Sequence, residues 1–421
     1  MSVFATWFAS ESLIATSGEV ARAGLAGARA EPFAYALGLF AIGVFLAARL
    51  RAGAFITIAD FLKDRFGSST EGLAALVIAL SATTWSAAQL YAFAVILAGA
   101  TGLDFTAALL GATLMVMTYT LFGGLAGDVV TDIVQGLIIL AAITILLVLL
   151  VDAAGGLQAL WQAAPAARIG LAVPGESWVD RVELWLIPII GTMVSQEALA
   201  RSLGARSPAV ARRGAMIGAM VYLIAGLIPV ALGLFGPVLA PRLGVALGEG
   251  EAFLPALAAA LLPPWLYVVF TGALISAILS SVDSALLAVS AVATESGYRR
   301  LRPEASPLAL LRAARAATVG AAALAAWLAA QGESLRDLVL DASAIAAVLA
   351  VPIVMGLARI GSGTRAGLAA IAVQVAVLAL ANWGLGAPGA FLWMLASGLG
   401  AFALVAAWER RRAAAPAPGL S

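Results

Sequence analysis

The chain contains no cysteine and no histidine. Without cysteine there is no disulfide, thiol nucleophile or thiolate zinc site; without histidine there is no Ser-His-Asp hydrolysis and no imidazole proton relay. Charge is scarce too: Asp, Glu, Lys and Arg make up 11% of 421 residues, and 24 basic against 23 acidic groups leave a net charge of +1. No basic excess is available for a phosphate backbone, so nucleic acid is not an expected partner. What fills the chain is hydrocarbon, 63% of its residues. That share points to an all-α polytopic membrane protein in a lipid bilayer rather than to a soluble core.

Apolar runs of crossing length recur at about 3–22, 33–50, 70–99, 105–123, 127–151, 183–203, 209–238, 264–296, 308–330, 336–358, 365–383 and 389–408, giving about 12 transmembrane helices. With the N-terminus inside, the inner segments collect Arg49, Arg51, Lys63, Arg65, Arg212, Arg213, Arg299, Arg300, Arg302 and Arg410 to Arg412. The outer ones hold Arg22, Arg29, Arg168, Arg181, Arg242 and Arg336. This bias predicts a multi-pass cell (plasma) membrane protein with cytoplasmic N- and C-termini. No positive segment precedes the first run and Glu11 interrupts it, so it is not read as a cleaved signal.

Polar residues intrude on the hydrocarbon at a few places. Within 276–298, Ser276, Ala277, Ser280, Asp283, Ser284, Thr294 and Glu295 share one helix side, and Ile275, Ile278, Val282, Leu286 and Val289 the other. A charge at the bilayer centre costs roughly 2.5–3.5 kcal/mol, so Asp283 has to face protein, water or an ion. Small residues and serines serve close helix packing, but hydroxyls, freed carbonyls and a carboxylate are also what a hard cation accepts. The first run carries Ser10, Glu11 and Ser12 at its middle. The sixth has Pro188 and Gly191 as potential breaks, then Ser195, Gln196 and Glu197. Interrupted segments at matching places in two halves point to an inverted-repeat transporter, in which broken helices expose backbone groups near the midplane. Glu197 also precedes Arg201 by four residues, a spacing that suits an ion pair at the cytoplasmic interface.

The third run brings Thr83, Thr84, Trp85, Ser86, Gln89 and Tyr91 into the membrane, with Trp85 and Gln89 the candidates for contact with solute. Residues 56–69 read as a short amphipathic helix lying at the interface. Asp128 and Asp132 follow a double glycine in the first turns of the fifth run, where the helix dipole favours negative charge. Asp128 suits a cap; Asp132 lies deeper, on a candidate cation exit route. Asp341 and Ser343 are placed near the outer end of the tenth run, as gate or cap.

Four stretches together, TWFASESLIATSGEVARAGL, TIADFLKDRFG, YTLFGGLAGDVVTDIVQG and AILSSVDSALLAVSAVATESGYRR, resemble the solute:sodium symporter family. The resemblance implies a LeuT-type fold of five plus five inverted helices. It divides the chain into a first repeat (1–152), an external loop (153–182), a second repeat (183–360), two accessory helices (361–410) and a disordered tail (411–421). It implies a sodium ion held by the carbonyls of Ala5, Phe8 and Ala277 and the hydroxyls of Ser280 and Ser281. Asp132, Asp283 and Ser284 match positions tied to ion release or a second sodium. Solute contacts are implied at Glu11 and Ser12, with Trp85 and Gln89 opposite, and Gly191 and Ser195 on the sixth run.

The family pattern is not followed throughout. Members commonly carry one more helix ahead of the first run, so a longer natural start is expected. Sugar-type members place a lysine in the seventh span, whereas Lys63 is the sole lysine here; proline-type members place an acid where Trp7 stands. The expected activity is sodium-coupled symport of a small organic solute, an amino acid such as proline being the first guess, and not an enzymatic reaction. The rivals are a proton-coupled permease using Glu11 or Asp283 and, more remotely, an intramembrane aspartyl protease built on Asp132 and Asp283.

Overall fold

The computed structural model describes residues 7–8, 10–123, 128–243, 248, 250–360 and 363–414, apart from the side chains at 122–123, 128–133, 243, 383 and 413–414. Every regular element among the described residues is helical. Each of the 12 apolar runs carries helix. Among the described residues, nine helical stretches are long and apolar enough to cross a bilayer, and a pair of helices bent by 41° makes ten when taken as one span. Two departures from the expected twelve account for the difference. The described part of run 4, Phe105–Leu121, is short for a crossing, and runs 1 and 2 form one helical stretch, Glu11–Ala52.

That first stretch is not a rod. A π-helical turn, Glu11–Ala15, leads into α1 (Thr16–Ala23), which ends at Gly24. Gly24 has φ +67°, a left-handed setting that a side chain resists. Helical geometry fails again at Glu31, with φ −124° and ψ 119°, ahead of Pro32. Ser12 Oγ lies 2.7 Å from Glu31 Oε1, 19 residues on; an unbroken helix would hold them about 28 Å apart. The chain therefore doubles back, and Glu31 returns to the level of Ser12 before α2 (Tyr35–Ala41) resumes.

The short amphipathic helix expected within 56–69 forms: α3 (Ile58–Phe66), the interfacial helix of the sequence reading, buries Ile58, Phe61, Leu62 and Phe66 within the protein and starts on a Thr57–Asp60 capping box. Next, α4 (Ser68–Thr101) is the axis of the molecule, with 78% of its apolar window buried inside the protein. After it come α5 (Phe105–Gly123), α6 (Asp128–Ala153), α7 (Trp178–Val194) and α8 (Gln196–Leu203). The chain continues through α9 (Pro208–Leu243), α10 (Phe253–Leu261), α11 (Pro264–Val292) and α12 (Pro307–Gln331). The bent pair is α13 (Leu335–Ala347) and α14 (Ala350–Leu357), and α15 (Arg365–Leu378) packs chiefly on α16 (Ala390–Ala414) and also on α3, α4 and α14. The last helix runs past the expected boundary at 411; residues 415–421 of the expected tail lie outside the described residues.

The sixth crossing breaks in a different place from the one expected. α7 continues through both Pro188 and Gly191 and stops at Ser195, whose ψ of 138° is extended. The Ser195 hydroxyl accepts from the Ala198 amide, starting α8 afresh. Gln196 fastens this break to the interfacial helix, its Oε1 accepting from Ile58 N at 3.0 Å.

Candidate functional site

The site grows from the turn at Glu11. Glu11 is 4% exposed, and its Oε2 accepts from Gln89 Nε2 at 2.6 Å. Ser10 Oγ donates to Gln89 Oε1, also at 2.6 Å, so the amide nitrogen is turned to the carboxylate and the oxygen away from it. Thr16 Oγ1 caps the Glu11 carbonyl at 3.1 Å. Around the acid stand aromatic faces: Trp7 stacks on Trp85, with centroids 6.2 Å apart and planes at 15°, and tilts against Tyr35 at 6.3 Å.

Ser12 organises the other side. Its hydroxyl donates to Glu31, which leaves it to accept from Tyr222 OH at 3.0 Å. Tyr222 is fully buried and meets Phe8 edge-on at 6.0 Å. Glu31, Tyr222 and Tyr35 were not singled out in the sequence, where Glu31 falls between two apolar runs.

Two adjoining clefts share Glu11, Tyr35 and Val339. One, with about 20 Å³ open to the centre of a water-sized sphere, adds Glu31, Glu19 and Arg336 and is called the outer cleft below. Arg336 Nη1 reaches Glu19 Oε2 at 3.0 Å, and Glu19 also binds Arg22 at 2.8 Å, an ionic cluster beside the outer cleft. The other, the central cleft, of the same size at about 20 Å³, is lined by Trp7, Trp85, Gly191, Ser195 and Glu197, among others. Ser343 belongs here as well, its hydroxyl 2.8 Å from Tyr35 OH. Ser343, expected as gate or cap, is thus carried to the cleft wall by α13. Gly191 makes the approach feasible, since a Cβ there would lie 2.5 Å from the Ser343 carbonyl oxygen. Glu197 lines this cleft, and its Oε1 is buried with no hydrogen-bond partner among the described residues.

The residues expected to hold sodium stand apart from these clefts. Ser280, Ser281 and Asp283 are buried on α11 within protein, and Ala277 and Ser284 are half-buried. None of the five lines either cleft. α11 packs on α4, α6 and α12, and Gln135 Nε2 of α6 donates to Ser276 Oγ at 2.6 Å. Phe8 is buried where the backbone bends. Ala5 lies outside the described residues, as does the side chain of Asp132.

The segment between α6 and α7 braces the first helix. Arg168 Nη2 donates to the carbonyls of Val20 and Ala21, both at 2.8 Å, at the C-terminal end of α1. Arg29, 4% exposed, is held by Glu176 at 2.6 Å. That contact, with help from Arg181, pulls the Glu176 carboxyl below its ordinary value of 4.5.

Broken helices around a buried, acid-lined cleft define a class: a multi-pass helical transporter of the inverted-repeat kind. The family model of the sodium:solute symporter family matches residues 1–359, and the chain belongs to that family. Relatives include the osmoregulated proline transporter OpuE of Bacillus subtilis, 28% identical over 69% of this chain and 61% of its own length. The sodium/pantothenate symporter of Escherichia coli is 28% identical over 72% and 64%. The high-affinity choline transporter 1 of Drosophila melanogaster is 25% identical over 75% and 52%. The chain thus spans about half to two thirds of the length of these relatives.

Among solved structures, a substrate-bound, outward-open sodium-coupled sialic acid symporter superposes with TM-score 0.79 at 18% identity, covering 97% of this chain and 88% of the other. Mhp1, a nucleobase-cation-symport-1 family transporter, gives 0.63 at 17% identity, with 98% and 92% covered. At these identities the likeness speaks to the fold. The named relatives are transporters and not enzymes.

Proposed function

We propose that this protein carries a small organic solute across the cell membrane by sodium-coupled symport, alternating access to the Glu11 cleft between the two sides, with both termini in the cytoplasm. The observation that carries the reading is the cleft itself: Trp7, beside the bend at Phe8, and Ser195, at the break after α7, both line it. In this reading sodium binds the carbonyls of Ala5, Phe8 and Ala277 and the hydroxyls of Ser280 and Ser281. Asp132, Asp283 and Ser284 serve its release or a second ion. Glu11, Ser12, Trp85, Gln89, Gly191 and Ser195 serve the solute. Burial of Ser280 and Ser281 away from lipid supports the ion assignment, and the proline transporter among the relatives makes proline the first solute to try.

One sodium is energetically sufficient. A potential of ~100 mV contributes about 2.3 kcal/mol per charge and a tenfold gradient about 1.4 kcal/mol, enough to concentrate a neutral solute a few hundredfold.

Uptake into proteoliposomes under an inward sodium gradient, with no pH gradient, tests the proposal; uptake driven equally well by a proton gradient alone overturns it. Ser280→Ala with Ser281→Ala is expected to abolish the sodium requirement or the uptake. The second reading, proton coupling, is favoured by the burial of Glu11 and Glu31 beside one cleft, and the same two gradients decide between them.

A further inference from the structure

The central cleft has an unbalanced lining. Glu11 and Glu197 both contribute to it, and no lysine or arginine does among the described residues. Glu11 is already engaged by Gln89, whereas Glu197 Oε1 is buried without a donor among the described residues. Thr192, 1% exposed, also lines the cleft with its hydroxyl oxygen unpartnered. Buried polar atoms are nearly always satisfied, so unmet acceptors at the wall of a cleft mark what a bound molecule has to bring. The remaining wall is aromatic, with Trp7 against Trp85 and Tyr35 beside them, and ring faces attract cations.

An incoming carboxylate or phosphate would meet two acids with no base to offset it. A positively charged nitrogen bearing hydrogens would answer every feature: it balances the acids, donates to Glu197 Oε1 and lies favourably on the rings. We propose that the central cleft selects a small organic cation with N–H donors and no acidic group, and that Glu197 is the residue that reads its charge. This rests on the symport reading above and narrows it, making proline a weaker cargo because its carboxylate finds no basic side chain in the cleft.

The sequence left two places open for Glu197, the break of the sixth run and a cytoplasmic pair with Arg201. The break at Ser195 is what changes its surroundings. Glu197 falls in the first turn of α8, directly after the extended residue, and so stands at the cleft wall.

The test is a thermal-shift series on the purified full chain in sodium, with ethanolamine, agmatine, choline, proline and pantothenate as probes, followed by sodium-driven uptake of any that bind. Ethanolamine and choline differ only in the methyls that remove the N–H donors. Stabilisation by ethanolamine or agmatine, with choline weaker and pantothenate inert, is the expected result. Glu197→Gln should then raise the KM for the bound cation by about thirtyfold or more, and Glu197→Asp should recover part of the loss. Stabilisation confined to proline or pantothenate, or none by any N–H cation, overturns the proposal; so does a Glu197→Gln protein that keeps its cation KM. The two readings fail separately. Sodium-driven uptake of an acidic solute removes the charge inference and leaves symport standing, whereas cation binding without sodium-driven uptake does the reverse.

Discussion

Ser12 and Glu31 are 19 residues apart in sequence, and their side chains meet at 2.7 Å. The contact pins the returning chain against the first turn, and Tyr222 joins it at 3.0 Å. Ser12→Ala removes the donor to a buried carboxylate and a partner of the tyrosine, which should cost about 1–3 kcal/mol. Tyr222→Phe keeps the ring on Phe8 and should cost only about 1 kcal/mol. Because both act on one network, the double variant should fall short of the sum. Melting in detergent measures all three; strict additivity would mean that the hydroxyls do not cooperate.

Gln89 acts through its orientation. Ser10 holds its oxygen and Glu11 takes its nitrogen, so Gln89→Leu leaves two buried polar groups without that partner. Solute KM is expected to rise by about tenfold or more with sodium dependence intact, since no sodium-site residue is touched. Gln89→Glu sets acid against acid at 2.6 Å and should be worse. An active Gln89→Glu protein with ordinary KM would show that the amide does not face Glu11.

Glu11 was legible because an acid flanked by serines inside an apolar run has no place facing lipid. Gln89 and Trp85 were legible for the same reason, as polar and aromatic breaks in the apolar run of α4. Glu31 was not: it sits between two apolar runs, where acids are ordinary, and only the reversal after Gly24 returns it to Ser12. The sixth break was misplaced because proline was weighed above serine. A helix can absorb Pro188 by giving up one amide bond, whereas Ser195 offers an N-cap to a new helix with Glu197 in its first turn, a signal present in the sequence. Ser343 eluded the reading since its distance along the tenth run says nothing of the cleft that α7 and α13 close around it.

Gly191 lets α7 lie against α13. A methyl there would sit 2.5 Å from the Ser343 carbonyl oxygen and 2.7 Å from its Cβ, and backbone cannot swing aside as a flexible side chain does. Gly191→Ala should cost about 1–3 kcal/mol by overpacking and reduce uptake by shifting Ser343. Gly214→Ala on α9 has nothing within 4 Å of the added methyl and should be neutral or stabilising by up to about 1 kcal/mol. Equal melting and uptake for the two variants would show that the α7–α13 approach is not tight.

The brace between Arg29 and Glu176 gives a pH dependence of known sign. Glu176 lies outside the crossings, and its carboxyl is depressed first by the hydrogen bond from Arg29 and then by Arg181. A depressed folded value means that the stabilisation is fully present above the unfolded value near 4.5 and is lost as pH falls through the lower folded value. Melting of the wild-type protein should therefore decline on acidification below about pH 4.5, while Glu176→Gln starts lower and loses less over that interval. At pH 7 the variant strands the buried Arg29 guanidinium, at a cost of about 3 kcal/mol. Parallel pH profiles for the two proteins would show that the brace makes no contribution to the fold.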